Sequence, residues 1–115
     1  MTVITTDLIL GDLKKWVEEK IPVDAHKWLD AAQKLTALMG DEHDKLFEMQ
    51  REIADLKVQF IEGGATVAKA NLLVERLNEY TRMQRQRAKI ERIEEMVRIA
   101  KLQARMKDTE MRGQF

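Results

Sequence analysis

Ten positions spaced alternately by four and three residues run through the first half of this chain: Trp28, Ala32, Leu35, Met39, Glu42, Leu46, Met49, Ile53, Leu56 and Phe60. Nine of the ten are apolar, and an α-helix places all of them on one stripe. A segment so written is a long helix packed along a coiled-coil seam. Glu42 is the one charged member, and Gly40 beside it marks the weakest stretch of the helix.

The punctuation around this helix sets the rest of the architecture. Ile21-Pro22 closes whatever precedes it, because the residue before proline avoids the α region. Asp24 then serves as N-cap, and the helix spans 22–62. Gly63 and Gly64 supply the backbone freedom for a reversal over 63–65. Thr66 caps a third helix expected over 66–107, followed by a tail, 108–115. Residues 1–21 are expected to hold one short helix, Asp12 to Lys20, preceded by Gly11 and carrying Leu13, Trp16 and Val17 on one face. The expected fold is therefore all-α and one domain: a short N-terminal helix followed by a long antiparallel helical hairpin, coiled-coil-like and oligomeric. At 1.5 Å per residue each arm comes to about 60 Å.

The third helix is less regular than the second. Val67, Ala70, Leu73, Val74 and Leu77 share one face of a helical wheel, while Ile90, Ile93, Val97, Ala100 and Ala104 share another, rotated by about 150°. Between them TRMQRQRAK, residues 81–89, is almost without apolar side chains. Either the seam changes phase here, or the two halves bury against different neighbours. The second face, with Leu102 and Met106 widening it, exceeds what one hairpin covers. Ile90, Ile93, Met96, Val97, Ile99 and Ala100 are accordingly candidates for an oligomer interface, with the short N-terminal helix packing near the same end.

Charge is distributed unevenly. Lys+Arg 20 balances Asp+Glu 20, yet residues 1–62 carry a net −5 and residues 63–115 a net +5. A hairpin folded at the twin glycines sets Asp41, Glu42 and Asp44 opposite Gln86, Arg85 and Met83. On one account Arg82, Arg85 and Arg87 neutralise those acids in a polar layer that fixes register. On the other, the bases serve an anionic partner. Arg82, Arg85, Lys89 and Arg92 make one narrow stripe, and Arg76, Arg87, Arg98, Lys101, Arg105 and Arg112 a second. Such stripes on a rod can track the phosphates of single-stranded DNA. Tyr80 is the only aromatic residue in the third helix, so no platform for stacked bases is legible there.

Chemistry of other kinds finds little support. The chain has no Ser and no Cys, which removes serine and thiol nucleophiles and thiolate zinc sites; it is not expected to be an enzyme. Asp41, Glu42, His43 and Asp44 point in different directions on a helix, so no metal is expected, and no phosphate-loop pattern or other cofactor motif occurs. His26 reads as a surface histidine, and the seven methionines as core gap-fillers or an adaptable partner groove. No apolar run approaches a membrane span and no signal-peptide pattern opens the chain, so a cytoplasmic location, host cytoplasm for a viral chain, is expected.

The arrangement LGDLKKWVEEKIPVDAHKWLDAAQKL, then a long acidic-to-mixed helix, a turn, and a basic helix ending RIEEMVRIAKLQARM resembles small phage accessory proteins of the T4-type recombination-mediator family UvsY. Val23, Asp24, Lys27, Ala31 and Ala32 contribute to the likeness. The resemblance implies a ring of helical hairpins that binds single-stranded DNA and helps load a recombinase. The expectation is thus a homo-oligomeric, non-enzymatic DNA-metabolism accessory with single-stranded DNA and a recombinase, another DNA-processing protein or a virion protein as partners. The alternative is a structural or assembly protein (a virion component, packaging-ring subunit or chaperone) working through protein contacts alone.

Overall fold

Three short polar side chains start three helices in the same way. Thr5 and Thr66 accept from the backbone N–H groups of Leu8 and Lys69, and Asp24 Oδ1 accepts from Lys27 N–H at 2.9 Å. In the computed structural model, which describes residues 5–112, the elements are α1 (Thr6–Glu18), α2 (Ala25–Glu62), α3 (Val67–Glu75) and α4 (Asn78–Arg112). No strand occurs among the described residues, and no helix among them is long and apolar enough to cross a membrane.

Two helix ends are closed by one device. After α2, Ala65 N–H bonds Phe60 O and Gly64 N–H bonds Ile61 O, with Gly64 at φ 104°. This is a Schellman motif with glycine in the left-handed position. After α1, Ile21 N–H bonds Trp16 O, and the left-handed position is taken by Lys20 at φ 50°. A side chain there costs energy that glycine would not.

The sequence expectations need three corrections. The first helix is Thr6–Glu18, not Asp12–Lys20; Gly11 lies inside it on an exposed face, while Ile9, Leu10 and Leu13 supply the buried one. The third helix is two helices. Arg76 and Leu77 take tighter bonds to Leu73 O and Val74 O, which ends α3 before α4 begins, and helix continues past Lys107 to Arg112. The phase change therefore falls at Arg76-Leu77 and not within 81–89. Once past that break, Met83, Gln86, Ile90, Ile93, Val97, Ala100 and Ala104 form an unbroken three-four seam along α4, every member buried or half-buried.

The chain divides into two compact units: residues up to Gly40 with those from Glu91 onward, and Asp41–Ile90. In the first, α1 contributes Ile9, Leu10 and Leu13, α2 contributes Trp28, Ala31, Ala32 and Leu35, and α4 contributes Ile93, Ala100 and Ala104 to one apolar cluster. The four alanines let the helices approach closely, and Leu13, Leu35, Ile93 and Ala100 are fully hidden. The second unit is a helical hairpin. The far half of α2 returns through Gly63-Gly64 as α3 and the start of α4, with Ile53, Val74 and Met83 buried and Leu46, Met49, Leu56, Phe60 and Tyr80 packed around them.

Candidate nucleic-acid interface

The polar layer expected between the arms exists, with different members. Glu42, the charged residue in the α2 seam, is only 3% exposed. Its partner is Gln86, the polar member of the α4 seam, whose Nε2 donates to Glu42 Oε2 and to the Glu42 backbone oxygen, each at 2.8 Å. Lys89 Nζ and Lys45 Nζ both stand 3.4 Å from Glu42 Oε1. Burial opposes ionisation of this carboxyl, but the Gln86 hydrogen bond and the Lys89 and Lys45 charges outweigh it and hold its pKa below the ordinary glutamate value of 4.5.

Arg82, Arg85 and Arg87 take no part in this layer. Arg82 pairs with Glu79 on its own helix at 3.6 Å, while Arg85 and Arg87 are exposed and form no ion pair among the described residues. The facing register is one residue along from the expected one, so the seam delivers Gln86 to Glu42 and turns Arg85 outward. Lys89, placed in the first basic stripe, is half-buried against Glu42 and belongs to the layer.

The remaining basic residues lie on the surface. In the second unit Arg76, Arg82, Arg85 and Arg87 are exposed; in the first, so are Arg92, Arg98, Lys101 and Arg105. Arg98 pairs with Glu95, one turn back, and each holds the other's ionised form: the Arg98 hydrogen bond lowers the Glu95 pKa and the Glu95 hydrogen bond raises that of Arg98. Arg76, Arg85, Arg87, Arg92, Lys101 and Arg105 have no carboxylate partner among the described residues. Arg98, Lys101 and Arg105 also border a shallow groove of about 240 Å³ floored by Leu102. The side chain of Arg112, assigned to the second stripe, lies outside the described residues.

The expected oligomer interface is corrected by burial. Ile93 and Ala100 are completely buried and Ile90 nearly so, while Met96, Val97 and Ile99 are half-buried. Within the first unit α1 and the start of α2 cover the face that carries Ile93 and Ala100, so it is core and not free surface. Leu102 and Met106, which widen that face, are exposed at 46% and 49%, and further exposed apolar surface lies outside it. Phe47 (67% exposed), Ala54, Val58 and Ile61 share a stripe on the outer face of α2 that Arg51 interrupts, with Val67 and Leu72 exposed on α3. That second α2 stripe was legible at the same spacing as the first, but the stronger seam hid it.

Gln86 could also have been found from sequence. Stepping back from Ile93 and Ile90 by the same alternation reaches Gln86 and then Met83. No group of three or more His, Asp or Glu with metal-binding geometry occurs among the described residues. No family model, curated protein or solved structure matches the chain.

Proposed function

We propose that this chain is a non-enzymatic, self-associating helical scaffold that binds single-stranded DNA through α4 and holds a protein partner of DNA metabolism, in the manner of a recombination mediator. The observation that carries the reading is the set of exposed, unpaired cations, Arg85 and Arg87 in the second unit and Arg92, Lys101 and Arg105 in the first, on a chain of zero net charge. Cations kept clear of available carboxylates are suited to phosphate, and each unit presents more than one of them. The exposed stripe Phe47, Ala54, Val58 and Ile61 supports self-association, since a lone copy leaves it in water.

Anisotropy titration with a labelled oligothymidylate at two salt concentrations tests the DNA reading. Affinity falls steeply with salt, and the triple variant Arg85→Glu/Arg92→Glu/Arg105→Glu lowers low-salt affinity at least about ten-fold and flattens the salt slope by roughly two units. No binding at low salt, or binding indifferent to these exposed positions, removes the reading.

The same apolar stripe also favours the second reading, an assembly protein that acts only through protein contacts. It predicts a defined oligomer by light scattering whose mass is unaffected by oligonucleotide and whose surface has no affinity for it.

A further inference from the structure

Both tryptophans of the chain meet in the first unit, edge to face, with ring centroids 5.2 Å apart and planes at 84°. Together with Ile21, Pro22, Lys20 and Lys107 they line a cleft of about 280 Å³. Three features leave this cleft chemically incomplete. Trp28 is 3% exposed, and its indole Nε1–H has no acceptor among the described residues, although a buried donor normally finds one. Lys20 forms no ion pair among the described residues, and Lys107 pairs with Glu110 on its own helix at 3.6 Å. Lys20 also holds the left-handed position that glycine fills after α2, so a cation sits beside the cleft at a conformational cost.

An apolar, aromatic wall and two cations together describe a ligand with a planar ring and an attached anion. The volume is just below the ~300–1,000 Å³ typical of sites for drug-sized ligands, which limits the occupant to about one ring system. The geometry points to a subsite for a single nucleobase of single-stranded DNA: the ring lies against Trp16 and the flanking phosphate meets Lys20 and Lys107. This rests on the single-stranded DNA reading and adds to it a base-contacting site that lies outside the basic stripes. Base–aromatic contact of this kind is tolerant of sequence, as a scaffold on arbitrary strands requires.

The chain's own fluorescence tests it, because Trp16 and Trp28 are its only tryptophans and both line the cleft. Labelled oligothymidylate is titrated at low salt with anisotropy and tryptophan emission read together, beside an abasic strand of equal length. The subsite predicts a saturable loss of emission with oligothymidylate, and an anisotropy rise with little emission change for the abasic strand. Lys20→Gly with Lys107→Gln shifts the emission midpoint roughly ten-fold weaker, while the same double variant melts no lower than the parent, which excludes misfolding as the cause. Emission unchanged while oligothymidylate binds, equal emission loss with the abasic strand, or an unshifted midpoint in the double variant overturns the subsite and leaves the electrostatic reading standing. Silence of anisotropy toward both strands overturns both.

Discussion

The two units solve the same problem, holding α-helices together, by opposite means. The first draws side chains from α1, α2 and α4 into one apolar cluster that includes the fully hidden Leu13, Leu35, Ile93 and Ala100. The second is a two-layer hairpin with Ile53, Val74 and Met83 at its centre, and it also buries Glu42 and Gln86. An added helix gives a three-sided core that buries no charged side chain among the described residues. A hairpin has only one inner face, so its outer stripe, Phe47 to Ile61, stays exposed. The difference teaches that stability in the first unit comes from packing, whereas alignment in the second comes from a polar pair that apolar residues of either seam could not replace with equal selectivity.

The widest separation between the units comes from truncating their cores. Ile93→Ala should cost about 2–5 kcal/mol, because its surroundings are filled by three helices and collapse poorly around a void. Val74→Ala, which removes less volume from a thinner core, should cost about 1–3 kcal/mol. Urea melts followed by circular dichroism measure both, and equal losses would contradict the contrast.

Next in size is the polar layer. Glu42→Ala leaves the Gln86 amide buried without its side-chain acceptor and should destabilise by about 1–3 kcal/mol. Replacing both partners, Glu42→Leu with Gln86→Leu, should recover that loss or exceed it, since paired apolar substitutes for a buried polar pair are often neutral or stabilising. The carboxyl's pKa is lower in the folded state than in the unfolded chain, so its contribution is complete above the ordinary value of 4.5 and disappears as pH falls through the folded value. Urea midpoints therefore decline on acidification across that range, and Glu42→Gln should flatten this decline.

The smallest effect sets one Schellman end against the other. Lys20→Gly relieves a left-handed lysine and should stabilise by about 1 kcal/mol, whereas Gly64→Ala forces a side chain into the same region and should cost about 1 kcal/mol. Thermal melts of the two variants should move in opposite directions.

How much of this was legible in the sequence follows from the physics of each feature. The α2 seam and its Asp24 cap, the glycine reversal and the Thr66 cap are local signals, and all four occur where the residues indicated. The start of α1 was misplaced because Gly11 reads as a helix boundary, although an exposed glycine within a helix costs only about 1 kcal/mol. The break at Arg76-Leu77 carries neither glycine nor proline and so left no local mark; the two out-of-phase faces on either side were its trace. Among the candidate residues, Arg82, Arg85 and Arg87 were offered both for the polar layer and for an outer stripe, because a register one residue off cannot be told from spacing alone. Ile93 and Ala100 were assigned to a surface wider than one hairpin covers, whereas α1 and the start of α2 bury them within the first unit. The tryptophan cleft depends on a side-chain arrangement across three elements, and spacing along one helix carries no information about it.

The bond between Glu42 and Gln86 has a consequence for descent as well as for folding. Loss of the glutamate leaves the amide only a backbone acceptor, and loss of the glutamine leaves the buried carboxylate to its two lysines, so a change at either site weakens the case for the other. Lineages that keep this hairpin should therefore change positions 42 and 86 as a couple, an imprint readable in divergent copies without a single measurement of stability.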